Sequence, residues 1–174
     1  MRSFSRFAII FFSLIVAFIA SFFIIVSISS RPPKEARIVS KFVTHRASYE
    51  RVRTMLSEDE DIEGVAPWGI QLEGSRIWKI PPDGGMPAER FQEYLVLLKE
   101  IGASRVAQGK VPYEVSFGTW NPGSSSDQRS IQISWREHEP SNTVVSLDAI
   151  HNTDKSRRTA YVHIDGNWYI WADL

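Results

Sequence analysis

The chain carries an uncharged stretch from Phe7 to Ser30, in which 16 of the 22 residues from Phe7 to Ile28 are Leu, Ile, Val or Phe. As an α-helix those residues would extend roughly 33 Å at about 1.5 Å per residue, enough to cross a hydrocarbon core about 30 Å thick. The pattern predicts one transmembrane helix over 7–28, preceded by a short basic amino terminus over 1–6 and followed by a linker over 29–39. Secretory signals share the basic start that Arg2 and Arg6 supply, but their apolar core runs about 7–15 residues. Length therefore favours a retained signal anchor over a cleaved leader, for which Ser27-Ile28-Ser29 is the best processing site. The first expected partner is the lipid bilayer, met through Phe7 to Ile28 in a single pass. Arg31, Lys34, Arg37 and Lys41 on the far side of the span draw the domain toward the cytoplasm. A short basic amino terminus ahead of the first apolar segment places it outside, and that is the orientation expected.

Beyond Ser30 the chain is long enough to bury one core without disulfides or metal, and residues 40–174 are expected to form a single soluble α+β domain. With no Cys in the chain, neither a disulfide framework nor a lipid-modified cysteine is available. Setting Arg2 and Arg6 aside, 18 Lys and Arg face 20 Asp and Glu, a near balance that argues against nucleic acid as a partner. The charges are unevenly placed. Seven basic residues between Arg31 and Arg53 meet only Glu35 and Glu50, whereas Glu58, Asp59, Glu60, Asp61 and Glu63 crowd into six positions.

Ile38, Phe42, Tyr49, Val52 and Leu56 recur at helical spacing and predict one amphipathic helix from about Ser40 to Ser57. A second helix opens at Pro87 and buries Phe91, Tyr94, Leu95, Leu98 and Ile101 before Gly102 closes it. The remainder reads as strands: Ile70 and Leu72, then Ile77 and Ile80 across a Glu73-Gly74-Ser75 turn, then about Ser104 to Ala107. Alternating runs follow at Tyr113-Val115-Phe117 and Ile131-Ile133-Trp135, with a short candidate from Val144 to Leu147. Asp165-Gly166 between two aromatic and β-branched runs is a hairpin signal. Two helices followed by hairpins predict an α+β domain with both helices on one face of an antiparallel sheet.

Chemistry is harder to find. Asp59, Asp61, Glu63 and Gly64 match the first positions of a calcium loop, but the twelfth position is Ile70 and Pro67 interrupts the run, so a solvated loop is expected there. His45, His138, His151 and His163 are too scattered for a zinc signature, and no nucleotide-binding fingerprint occurs. No metal and no cofactor are expected. The final strand is apolar on both sides: alternation puts Trp168, Ile170 and Ala172 on one face and Tyr169 and Trp171 on the other. Such a strand is either central and buried or exposes an aromatic patch, in which case Trp168, Tyr169 and Trp171 form a surface for a protein or peptide partner.

Ser146-Leu147-Asp148, Tyr161 and Ile164-Asp165-Gly166-Asn167-Trp168-Tyr169, together with Phe42, Arg46, Tyr49 and Met55-Leu56, give the soluble part a recognisable outline. It resembles small uncharacterised bacterial proteins in which a signal, lipoprotein or membrane anchor precedes one α+β domain. The resemblance implies a bacterial, extracytoplasmic protein held at the inner (cytoplasmic) membrane, and no activity. The expected function is a non-catalytic binding or assembly module of the cell envelope. One alternative is an envelope hydrolase using His151 or His163 with Asp148 or Asp165, which requires those side chains to converge. Another is an inhibitor or immunity-type protein.

Overall fold

The computed structural model describes residues 14–19, 21, 32–109, 114–121, 130–147 and 159–173. The chain divides into two compact units, Met1–Pro32 and Pro33–Leu174. In the first unit residues 14–19 and 21 are helical, and the rest of the expected span lies outside the described residues. No helix among the described residues is long and apolar enough to cross a membrane. The finding corrects the expectation of a transmembrane helix and signal anchor over 7–28, and with it the single-pass localisation at the inner membrane.

In the second unit the helical stripe that opens the domain is not one helix. It folds as α1 (Glu35–Thr44) and α2 (Arg46–Glu58), separated at His45, whose φ of −114° and ψ of 22° leave the helical region. Both helices feed the same core, so one apolar periodicity ran through the break. Phe42 of α1 and Tyr49 of α2 lie with ring centroids 5.4 Å apart and are almost fully buried. The next helix, α3 (Ala88–Ile101), follows the sequence closely. Pro87 is its N-cap and Gly102 its C-cap in the left-handed conformation, with φ of 55°, a conformation that a side chain at that position would oppose.

Nine strands make one sheet: β1 (Ile62–Ala66), β2 (Gly69–Leu72), β3 (Trp78–Lys79), β4 (Arg105–Gln108), β5 (Glu114–Trp120), β6 (Ser130–Arg136), β7 (Thr143–Val144), β8 (Thr159–Asp165) and β9 (Trp168–Asp173). Their order is β3-β2-β1-β4-β5-β6-β9-β8-β7. Every neighbouring pair is antiparallel except β7 with β8, which is parallel. The expected hairpins form at β2–β3 and β8–β9, the latter turning at Gly166 with φ of 54°. β1 is an addition, lying where a solvated loop was expected. Ile62 and Val65 are buried while Glu63 stays partly exposed, so the dense carboxylates masked a strand.

One face of the sheet carries the core. Cross-strand register aligns Val65, Val106, Phe117, Ile133, Ile170 and Val162 from β1 to β8, all buried, and α1, α2 and α3 contribute to the same cluster. At its centre Trp168 meets Phe42 at 5.2 Å, Tyr49 at 5.8 Å and Phe117 at 5.9 Å between ring centroids. Tilted and edge-on pairs of this kind contribute about 0.5–1.5 kcal/mol each beyond the area they bury. The Trp168 indole donates to Glu50 Oε1 at 2.9 Å, which satisfies a buried donor. The Tyr49 hydroxyl, by contrast, is buried with no hydrogen-bond partner, and burial pushes its pKa well above the ordinary tyrosine value.

Charged pairs tie α2 to α3. Arg51 donates to Glu93 at 2.8 Å, Ser48 donates to Glu100 at 2.7 Å, and Arg90 reaches Glu58 at 2.7 Å and Asp59 at 3.0 Å.

Tyr49→Phe removes a buried hydroxyl that no hydrogen bond compensates and keeps the ring. It is expected to raise stability by about 1 kcal/mol, read from urea unfolding. The Glu93 carboxyl is held below its ordinary value by Arg51, and Glu100 below its own by Ser48 and His45. A depressed carboxylate contributes stability above its unfolded pKa and loses it as pH falls toward the folded one. Unfolding midpoints measured from pH 6 down to pH 3 should therefore fall, and the double variant Glu93→Gln, Glu100→Gln should fall less steeply.

Candidate functional site

Three exposed large apolar side chains lie at the β3 end of the sheet, while Val43, Val96 and Val145 are exposed singly elsewhere. Trp68 in the β1–β2 turn is 54% exposed, and Ile77 and Ile80, which flank β3, are 70% and 71% exposed. Between them Trp78 is half-buried and meets Trp68 edge-on, with ring centroids 5.6 Å apart. Trp78 pairs with Gln71, which pairs with Gly64, so all three point to the face of the sheet away from the helices. The indole lies across β2 and rests over Gly64, where an added Cβ would stand 3.4 Å from the ring tip. A Cβ there would already touch the ring at van der Waals distance, so a side chain larger than alanine would press on the indole.

Single exposed apolar side chains are ordinary on protein surfaces, but Trp68, Ile77 and Ile80 stand exposed beside the Trp68–Trp78 pair at one edge of the sheet, which makes this edge a candidate contact surface. The main chain beside it is already engaged. Ile77 N–H donates to Ser75 Oγ at 3.1 Å, and Ile80 C=O accepts from Asp83 N–H at 3.1 Å. β3 is also only two residues long, so the edge offers side chains more than backbone.

Of the two readings of the final strand, central and buried or carrying an aromatic patch, the sheet order matches the first. β9 lies between β6 and β8, as a central strand. Trp168 is buried against the helices, while Tyr169 is buried and Trp171 half-buried on the opposite face. Tyr169 stands between Ser134 and His163 in register, 5.3 Å from the His163 ring. On the same face Arg136 lies 4.7 Å over the Tyr161 ring, bonds its hydroxyl, and pairs with Glu114 at 3.3 Å. Burial first, and the Glu114 carboxylate next, push the Tyr161 hydroxyl above its ordinary pKa. Ser134 Oγ beneath this network is buried without a hydrogen-bond partner.

The residues named for a hydrolase are not drawn together among the described residues. His163 Nε2 lies 2.9 Å from Gly166 O, and Asp165 pairs with Arg46. His151 and Asp148 lie outside the described residues. Asp59, the first position of the calcium-like run, accepts from Arg90 and, at 2.8 Å, from the Tyr94 hydroxyl. No group of three or more metal-ligating side chains occurs among the described residues.

Sequence reasoning placed Ile77 and Ile80 on a strand and Trp68 and Trp78 beside strands, and stopped there. The available signal was the brevity of the run and the Pro81-Pro82 pair behind it, both marks of a sheet edge. Compared with protein-family models, curated proteins and solved structures, the chain matches none.

Gly64→Val places a branched side chain under Trp78. Overpacking of this kind costs about 1–3 kcal/mol. The expected result is a lower unfolding midpoint together with a change in the near-ultraviolet circular dichroism that the Trp68–Trp78 pair generates.

Proposed function

We propose that the Pro33–Leu174 unit is a non-catalytic binding module that docks a partner protein through the apolar cluster at the β3 end of its sheet. The observation that carries this reading is the exposure of Trp68, Ile77 and Ile80 around the seated Trp78. Tryptophan is enriched among the residues that dominate interface energetics, and an indole already held by Gly64 loses little conformational freedom on contact. The partner is bound by side chains: its own apolar residues cover Trp68 and Ile80. Four side chains are fewer than the roughly 20–30 residues a side of a standard interface. The module therefore suits a transient contact better than a permanent one.

The test uses the full chain and the double variant Trp68→Ala, Ile80→Ser as baits in extracts of the native host. Truncating a central aromatic anchor costs about 2 kcal/mol or more, over tenfold in affinity. The expected result is a defined protein retained by the native chain and depleted at least about tenfold on the variant, with equal unfolding midpoints for the two baits. Equal retention by both, or no retained protein, overturns the reading.

A further inference from the structure

A separate hollow of about 350 Å³ opens where the second half of α2 meets the ends of β4, β5 and β6. That volume lies at the lower end of the about 300–1,000 Å³ of small-molecule sites. We propose that it binds the ring of a neutral, hydroxyl-rich molecule, a monosaccharide or a single residue of a longer saccharide. The proposal goes beyond the protein-docking reading and shares none of its residues.

The charges of the lining select a neutral ligand. Arg53 donates through Nε to Glu50 Oε2 at 3.0 Å, and Glu114 is paired with Arg136 at 3.3 Å. Glu60, at the exposed rim, is the one lining charge without an ion-pair partner among the described residues. An anion would meet that carboxylate and find Arg53 already paired, while a cation would find Glu114 already paired and only Glu60 open, at the solvent-exposed rim where a single charge is screened. What remains in the hollow is a set of hydrogen-bonding atoms with an apolar wall.

Donors and acceptors are both present. Arg53 bonds Glu50 through Nε, and its two terminal nitrogens have no hydrogen-bond partner among the described residues. Gln108 donates its amide N–H to Leu56 O at 3.4 Å, leaving its carbonyl oxygen as an acceptor. Ser57 donates its proton to Thr54 O at 2.7 Å, leaving its lone pairs. Planar guanidinium and amide groups meet adjacent hydroxyls two at a time, since each hydroxyl both donates and accepts. Val115, with the part of the half-buried Trp135 indole that the Arg53 guanidinium 4.6 Å above its ring leaves uncovered, supplies the apolar wall for the C–H groups of a ring.

The test titrates the isotopically labelled full chain with D-glucose, D-galactose, D-mannose and N-acetyl-D-glucosamine, each to about 50 mM, a range suited to the weak binding of a small polar ligand. L-Serine, putrescine and acetate serve as charged controls. The expected result is saturable movement of the Trp135 indole and Gln108 side-chain amide resonances by at least one sugar and by none of the controls. Gln108→Ala and Arg53→Met each remove one hydrogen-bonding group and should weaken that binding roughly fivefold. Gln108 is exposed, so its variant tests the site without loading the core. The proposal is overturned if no sugar moves these resonances, if a charged control moves them instead, or if both variants bind the sugar unchanged.

Discussion

Trp168 joins the parts of the domain that the chain makes far apart. Its ring meets Phe42 from α1, Tyr49 from α2 and Phe117 from β5, and its indole N–H is fixed by Glu50. Glu50 then holds Arg53, which covers Trp135 on the neighbouring strand. One indole thus couples helix packing, strand register and the lining of the hollow beside β6. The order β6-β9-β8 puts β9 near the middle of that half of the sheet, and Trp168, Ile170 and Ala172 on it are among the most deeply packed residues. Apolar character on both faces of β9 follows from this position, since both of its edges are paired and both of its faces are covered to some degree.

The elements that the sequence disclosed are those with local causes. Pro87 and Gly102 bracket α3 because each suits a helix end through its own backbone chemistry, and Asp165-Gly166 makes a hairpin for the same reason. The break at His45 was not legible, because the apolar spacing from Ile38 to Leu56 continues across it and nothing in the pattern records a change of axis. β1 was hidden by carboxylates that belong to the preceding turn and to its solvent side. The apolar amino-terminal run predicted a membrane span on hydropathy alone, which measures the cost of burial in hydrocarbon, and no helix among the described residues is long and apolar enough to cross a membrane.

The exposed apolar edge was less legible still. Trp68, Trp78, Ile77 and Ile80 look like core residues in any one-dimensional reading, since hydrophobicity is the same on an edge as in a centre. Only the strand order separates them from Trp168 and Ile170. The charged residues divide in a similar way. Arg46, Arg51 and Arg53 are engaged with Asp165, Glu93 and Glu50, which leaves the basic block around α1 and α2 less available to an outside partner than its formal charge suggests.

Ser75 and Asp83 close the hydrogen-bonding groups of Ile77 and Ile80, and Lys79 and Pro81-Pro82 interrupt the same margin. A sticky border with free amides would template further copies and grow into fibres. With those groups sealed, the molecule can keep greasy side chains in water and still remain a finite particle, because attraction between surfaces is separated from propagation of the sheet.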